Sequence, residues 1–371
     1  MIRRAQPLLL ALPLLAALVL APADLCSQRV GAKGSLGSYL NQVKPFALPS
    51  QISLQHIKDA MESQSFSVNQ VRRTREQLPL TSTTPQTRWV GTNEALLHQQ
   101  AGSSTAERFD LRFLGVEGRK LTPFELNVRK KMFVANAGFL FRYQSFRVHD
   151  VAQAKANYII YYLGKSQRVG RPAYRIAVLP RRWDRSAWLL DLDLETAYPL
   201  YRAEYTLDAV LRAEVEVIKF QPNVRIPNSV TTWWRPTKGV TEYTTAAKAL
   251  SQVLTGVRTQ VVPGVTQLPH GYTLAKSQVV TDAFQGTKKA VLIYSDGIDQ
   301  LFVLQIPKPK PSADSKVKII GDNLYVFENN GINDFYFTHG GVDFRVIGGA
   351  SAGMVETAAK AIYRQAVATW Q

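Results

Sequence analysis

Residues 174–180 read Tyr-Arg-Ile-Ala-Val-Leu-Pro, residues 188–194 read Trp-Leu-Leu-Asp-Leu-Asp-Leu, and residues 214–217 read Glu-Val-Glu-Val. In each run, apolar side chains recur at every second position, and in the second run Asp191 and Asp193 fall opposite the apolar ones. A period of two over short runs predicts antiparallel strands with one apolar face. Turn-forming residues separate the runs. The stretch 174–220 therefore predicts a meander of four neighbouring strands.

A family resemblance appears in the same stretch. It is carried by Pro180, Arg181, Arg185, Leu192, Asp193, Thr196, Pro199 and Leu200. This pattern resembles the domain shared by periplasmic RseB/MucB-type regulators and LolA-type lipoprotein carriers, although Tyr198 stands where the family usually has glycine. The resemblance implies an α+β fold with a strongly curved antiparallel sheet, a LolA-like half-barrel covered by helices. The alternative is a generic antiparallel sheet.

The C-terminal part of the chain predicts a second, smaller α+β domain. Strands are expected at 290–294, 301–305, 323–328, 334–338 and 342–347, followed by a helix after Gly348–Gly353. The motifs Leu-Pro-x-Gly-Tyr at 268–272 and Tyr-Ser-Asp-Gly at 294–297 precede them. This order resembles the C-terminal domain of RseB/MucB-type proteins. The predicted division is a signal peptide at 1–23, a variable segment with one helix at 24–85, a LolA-like domain at 86–232, a linker at 233–266 and the second domain at 267–371.

The remaining elements are predicted from local patterns. An amphipathic helix is expected at 50–63, a polar loop at 63–87 and a strand at 108–113. Thr122-Pro-Phe-Glu125 combines a cap, a proline at the first helical position and a capping-box glutamate, which predicts a helix to about residue 136. In the resembled family, such a helix lies across the mouth of the sheet. Further predictions are strands at 139–148 and 158–163 and a short helix at 241–256.

The N-terminus predicts export. Basic Arg3 and Arg4 precede an apolar run at 8–21 and the small-x-small sequence Ala21-Pro-Ala23, which is the order of a secretory signal peptide. We therefore expect a soluble protein of the periplasm or extracytoplasmic envelope. Cys26 is the single cysteine. Leu25 stands where a lipobox needs a small residue, so a lipid anchor at Cys26 is the minor alternative.

The chain is strongly basic, with a formal net charge of +17 over 371 residues. An exported basic protein favours acidic partners such as an anionic envelope surface, and its compartment excludes nucleic acid. A solvated basic surface without a special role is the alternative. The length and apolar content predict about two domains with a packed core.

The sequence contains one enzyme-like motif. Gly349-Ala-Ser351-Ala-Gly353 matches the G-x-S-x-G nucleophile elbow in its strand–turn–helix context. The chain after Ser351 contains neither His nor Asp, so only His339, which precedes Ser351, could serve as a base. The five histidines lack metal-ligand spacing. Asp191 and Asp193 are interpreted as solvated strand residues. We predict a non-enzyme without catalytic residues, metal or cofactor, with a Ser351 hydrolase as the minor alternative.

Binding of apolar ligands is the function that remains. Large side chains at strand positions could line a cavity for lipid or lipoprotein acyl chains, or could simply form the core. By resemblance, the protein senses such chains and regulates an envelope-stress response by binding the periplasmic segment of a membrane anti-sigma factor. The alternative is a periplasmic lipoprotein or lipid carrier, against which the second domain argues. The candidate lining residues are Phe109, Leu111, Phe113, Phe139, Phe141, Tyr158, Ile160, Tyr162, Tyr174, Ile176, Trp188, Leu190 and Leu192.

Overall fold

The computed structural model forms two compact units. One comprises Met1–Thr74, Val90–Arg119 and Tyr158–Thr231, and the other Arg75–Trp89, Lys120–Asn157 and Thr232–Gln371. The second unit thus includes residues 120–157 from within the predicted 86–232 domain. The structure describes residues 47–77, 87–99, 108–118, 120–126, 146–182, 184–206, 210–225, 241–243, 267–281, 288–307, 318–319, 325–329, 332–339 and 342–369.

The first unit contains an eight-stranded sheet in the order β3-β2-β1-β8-β7-β6-β5-β4. The sheet is curled into a half-barrel, which confirms the predicted fold class. Helix α1 (Leu54–Glu62) precedes it and is capped by Ser53, whose Oγ accepts from the His56 amide at 3.1 Å. The strands are β1 (Phe66–Gln77), β2 (Thr87–Gln99), β3 (Arg108–Val116), β4 (Tyr158–Arg168), β5 (Arg171–Pro180), β6 (Ala187–Asp193), β7 (Pro199–Tyr205) and β8 (Leu211–Pro222).

The predicted meander is confirmed, because β5, β6, β7 and β8 pair consecutively and antiparallel. Register assigns alternate side chains to two faces. Ile57 of α1 borders the same small depression as Tyr174 and Leu192, so α1 lies on their side of the sheet. We call this side the inner face and the opposite side the outer face. All seven residues of β6 are buried, so the sheet is covered on both sides there.

The polar segment at 63–87 was predicted as a loop, and this prediction is wrong for residues 66–77. Residues 66–77 form β1, which pairs with β8 from Phe66 opposite Pro222 to Thr74 opposite Ala213. The sequence of β1 shows no alternation of apolar and polar residues, because its polar side chains have partners on both faces of the sheet, as described below. The predicted strand at 139–148 is not present at residues 146–148, and its earlier residues lie outside the described ones.

The second unit contains a nine-stranded sheet in the order β10-β11-β12-β13-β17-β16-β15-β14, with β9 paired to β11. The five predicted strands and the C-terminal helix are confirmed. The prediction of a helix at 241–256 is wrong for residues 241–243, which form strand β9, and residues 244–256 lie outside the described ones. The elements are β9 (Thr241–Tyr243), β10 (Gln267–Leu268), β11 (Tyr272–Thr281), β12 (Lys288–Ser295), β13 (Gln300–Pro307), β14 (Lys318–Ile319), β15 (Tyr325–Asn329), β16 (Ile332–His339), β17 (Val342–Gly348) and α3 (Ala352–Thr369).

The core of the second unit lies between α3 and one side of this sheet. Val355, Ala358, Ala359 and Ile362 share one helical stripe and are all buried. They belong to one apolar cluster with strand residues such as Tyr294 and Phe344. The spacing of these four apolar residues in the sequence is that of one helical face, and this face is the buried one.

A short helix that the sequence patterns did not predict, α2 (Val151–Asn157), packs on the turn between β12 and β13. The Asn157 amide donates to the Asp296 carbonyl at 2.8 Å, and the His149 amide donates to the Gly297 carbonyl at 2.8 Å. Gly297 has φ +106, and a Cβ there would collide with the backbone of Ala154. The Ser-Asp-Gly motif therefore needs its glycine for both conformation and close approach.

The helix predicted after Thr122 begins as expected. Residues 123–126 are helical. The Glu125 amide donates to Thr122 Oγ1 at 3.2 Å, and the Thr122 amide donates to Glu125 Oε2 at 3.0 Å, which completes the capping box. The predicted continuation of this helix to about residue 136, the predicted signal peptide and Cys26 lie outside the described residues. Among the described helices, none has the length and apolar character needed to cross a membrane.

Candidate functional site

The structure brings eight of the thirteen predicted lining residues together on one face. Tyr162 lies opposite Ile176, which lies opposite Leu190. In the neighbouring rows, Ile160 and Trp188 both lie opposite Val178. Register places these side chains and those of Tyr158, Tyr174 and Leu192 on the inner face.

These eight residues differ in burial. Five are buried, whereas three are only partly buried. The exposed side of the candidate site therefore lies at β4 and β5, and its floor at β6. The buried residues are Tyr158, Ile176, Trp188, Leu190 and Leu192, and the partly buried ones are Ile160, Tyr162 and Tyr174.

The other five predicted residues do not join this group in the described structure. Phe113 is buried in β3, at the far edge of the sheet from β4. Phe109 and Leu111 belong to β3, but their side chains lie outside the described ones. Phe139 and Phe141 lie outside the described residues altogether.

The inner face also contains a buried polar cluster that was not predicted. Glu94 accepts from Arg72 Nε at 2.9 Å and from Gln70 Nε2 at 2.7 Å. Arg202 Nη2 donates to Gln70 Oε1 at 2.8 Å. All four side chains are buried, and we call them the buried polar cluster. It sits on β1, β2 and β7, beside the apolar half of the face on β4 to β6.

Two charged groups on β7, Arg202 of this cluster and Glu204, have shifted pKa values. Burial lowers the pKa of the Arg202 guanidinium, since water is excluded from it. Burial likewise raises the pKa of the Glu204 carboxyl, an effect that its ion pair with Arg212, at 2.9 Å, opposes. Both side chains are buried, so this part of the inner face is dry. A dry surface strengthens any electrostatic contact made within it.

An aromatic group closes one end of the inner face. Phe66 stacks on His98 with ring centroids 5.0 Å apart and lies 4.7 Å from Tyr198, which stacks on Phe220 at 4.8 Å. His98 Nδ1 lies 2.6 Å from the Gln64 carbonyl oxygen. His98 therefore has a packing role at the start of β1.

The prediction that Asp191 and Asp193 are solvated is wrong. Both are buried. Arg175 donates to both oxygens of Asp191 at 2.8 and 3.0 Å, and Arg168 Nε donates to it at 2.6 Å. Burial disfavours ionisation of Asp191, but Arg175 and Arg168 outweigh it and hold the pKa of the carboxyl below its usual range. Arg171 binds Asp193 in the same two-pronged manner.

These outer-face charges form a stripe that crosses the sheet. Arg168 lies over the Tyr201 ring at 4.3 Å, and the Tyr201 hydroxyl donates to Glu214 at 2.9 Å. Arg73 on β1 then donates to Glu214 and Glu216 at 2.9 and 2.8 Å. We call this series the outer charge stripe. It links strands β4 to β8 and β1, so it stabilises the order of the sheet and does not form a catalytic constellation.

The candidate nucleophile Ser351 caps a helix. Its Oγ accepts from the Met354 amide at 3.3 Å, at the start of α3. His339 pairs with Val342 at one end of the β16–β17 hairpin, whereas Gly348, just before Ser351, lies at the other end. Gly348 lies six residue steps along β17 from Val342, so the two ends are about 20 Å apart. Ser351 and His339 are therefore too far apart to act as nucleophile and base.

The described residues show no group of three or more His, Cys, Asp or Glu side chains that could hold a metal ion. The inner face instead offers apolar surface with a few buried polar groups. Such a surface suits recognition of an amphipathic molecule.

Among known proteins, similarity to this chain is found with solved structures. No family model matches the chain, and no curated protein matches it. The chain is similar to MucB in a crystal structure with MucA(peri), with 18% identity over 82% of this chain and 95% of that one and a TM-score of 0.47. It is similar to MucB of the Pseudomonas aeruginosa MucA/MucB complex, with 18% identity, the same coverage and a TM-score of 0.43.

A LolA superfamily protein of Nitrosomonas europaea is also similar, with 12% identity over 50% of this chain and 98% of that one and a TM-score of 0.19. MucB and LolA-type proteins are the two classes that the residue patterns resembled. MucB and LolA-superfamily structures are thus among the similar structures found. What MucB binds in its complexes is a property of MucB, and these comparisons concern fold alone.

Proposed function

We propose that this chain is an exported, non-enzymatic binding protein whose first unit takes up an acyl chain on the inner face of its sheet. The observation that carries the proposal is the shared register of Tyr162, Ile176 and Leu190, a continuous apolar row across three strands. Each methylene removed from water contributes about 0.8 kcal/mol, so one long acyl chain offers roughly 10 kcal/mol before the costs of binding.

The proposed partner is the periplasmic segment of a membrane anti-sigma factor, held largely by the second unit. The sequence resemblance to RseB/MucB-type regulators in both domains, in the right order, supports this partner. Among the similar structures, MucB is in complex with the periplasmic part of MucA, and the proposal assigns this chain a partner of that kind. The fold and the motifs do not favour the carrier alternative, because simple carriers lack a second domain.

Regulation follows if the ligand and the partner favour different arrangements of the protein. A ligand shifts such an equilibrium only by the difference in its affinity for the two arrangements. Acyl binding should therefore change the affinity for the partner, and partner binding should change the affinity for the acyl chain by the same factor. The strongly basic composition supports, in addition, contact with an anionic envelope surface.

A matched pair of substitutions tests the acyl site. Ile160 and Ile159 are neighbours on β4, both partly buried, and their side chains point to the inner and outer faces respectively. In the full-length protein, Ile160→Asp is expected to abolish saturable binding of a fluorescent acyl probe, whereas Ile159→Asp keeps it. Circular dichroism should show both variants folded.

Native envelope extracts provide a second arm of this test. Mass spectrometry of lipids co-purified with the wild type should find acyl lipids that are depleted in Ile160→Asp. Equal loss of binding in the two folded variants, or lipid bound equally by both, would contradict the inner-face site.

A further inference from the structure

The inner face combines an apolar half with a buried cation in the same row of side chains. Arg202 lies directly opposite Leu190 on β6 and opposite Val215 on β8. The row therefore reads Tyr162, Ile176, Leu190 and Arg202 from the edge strand inwards. Three strand spacings of about 4.8 Å separate its ends, so the row is about 14 Å long.

In the described part of the chain, Arg202 makes no direct ion pair with a carboxylate, although Glu94, which is bonded to Arg72, attracts it at longer range. Its side chain is 2% exposed, and its Nη2 donates to the neutral Gln70. Its Nε is buried and has no hydrogen-bond partner. The other buried arginines of the inner face are matched, Arg72 by Glu94 and Arg212 by Glu204. The buried polar cluster therefore contains two guanidinium groups and one carboxylate.

A buried charge without a directly bonded counter-charge is unfavourable, and an arginine fork is suited to carboxylate and phosphate oxygens. From this geometry we infer that Arg202 is the anion-binding end of the acyl site, and that its ligand is an anionic amphiphile bound with the headgroup inward. The inference rests on the proposed acyl-binding function and adds the charge and the orientation of the ligand. A carboxylate of a fatty acid and a phosphate monoester share the chemistry that Arg202 recognises.

Alkyl probes of one chain length separate these possibilities in the full-length protein. Isothermal titration with laurate, dodecyl phosphate and dodecanol compares a carboxylate, a phosphate and a neutral headgroup. Wild type is expected to bind the two anions about 10- to 100-fold more tightly than dodecanol, since a charge-assisted hydrogen bond is lost with the neutral probe. Inorganic phosphate alone should show no saturable binding, because it lacks the apolar tail.

Variants at Arg202 provide the second readout. Arg202→Met is expected to bind all three alkyl probes about as weakly as the wild type binds dodecanol, whereas Arg202→Lys keeps a preference for the anions. The exposed Arg182→Met is the control for the general basic charge and should behave as wild type. Arg202→Met also removes the donor to the buried Gln70 Oε1, so circular dichroism should show that the variant is folded before its affinities are compared.

The outcomes that would contradict the anion-binding role of Arg202 differ from those that would contradict the acyl site. Equal affinity of wild type for laurate and dodecanol would overturn the role of Arg202 and leave the acyl site intact. Saturable binding of inorganic phosphate would reassign Arg202 to a free-anion site. The absence of binding of any alkyl probe would overturn both the acyl site and the anion anchor. If Arg202→Met failed to fold, the comparison of the three probes on the wild type and on Arg202→Lys would still test the role of Arg202.

Discussion

Replacing Asp191 by Asn should destabilise the first unit strongly. The Asp191 carboxylate is fully buried, and it accepts from Arg175, Arg168 and Ser166 at 2.6 to 3.0 Å. The side chains of the two arginines are only 7% and 13% exposed. Removal of the carboxylate takes from both cations the counter-charge that they share, and Arg168 keeps only the more distant Glu216, at 3.9 Å. Breaking a buried ion pair in this way costs about 3–5 kcal/mol.

Urea-induced unfolding followed by circular dichroism measures this loss. Glu195→Gln is the matched control, because Glu195 also pairs with an arginine, Arg171 at 2.6 Å, but its side chain is 70% exposed. The control should lose less than about 1 kcal/mol, since solvent screens an exposed pair. A loss below about 1 kcal/mol for Asp191→Asn would refute the argument that the outer charge stripe holds the sheet together.

The remaining predictions concern pH, a turn and the serine. The folded-state pKa of Asp191 is lowered, so its contribution to stability is complete above the unfolded pKa of about 3.9 and is lost as pH falls through the folded value. The difference in unfolding free energy between wild type and Asp191→Asn should therefore shrink below about pH 4. A difference that stays constant with pH would refute this. Gly297→Ala should cost more than about 1 kcal/mol in thermal unfolding because its Cβ meets the Ala154 backbone, whereas Gly170→Ala, also at positive φ but with open space around it, should cost less. Ser351→Ala should lose about 1 kcal/mol as a helix cap, and a fluorophosphonate probe should not label wild type; labelling lost in the variant would show that Ser351 is a nucleophile.

The sequence predicted the elements whose side chains separate into apolar and polar faces. The β5–β8 meander, the later strands of the second unit and the stripe of α3 all follow from simple periods. Helix α2 is only seven residues long, and such a short helix has too few turns to show a period.

Strand β1 and the buried polar cluster could not be predicted for a common physical reason. Gln70 and Arg72 point to the inner face and Arg73 to the outer one, and each finds its partner on another strand. A sequence shows that these residues are polar but not that they are paired across the sheet. The same reason explains why the prediction of a solvated Asp191 is wrong. In β7 the apolar residues Tyr201 and Ala203 alternate with Arg202, so the pattern gives no sign that Arg202 is buried.

The measurement that tests the acyl site most directly is photo-crosslinking of the full-length protein with a fatty acid that carries a diazirine in its tail. The crosslinked positions are then mapped by mass spectrometry of proteolytic peptides. We expect saturable labelling of β4 and β5 at the partly buried inner-face residues Ile160, Tyr162 and Tyr174, and its loss on competition with unlabelled laurate. Labelling confined to residues 272–369, or labelling that excess laurate does not reduce, would contradict the inner-face acyl site.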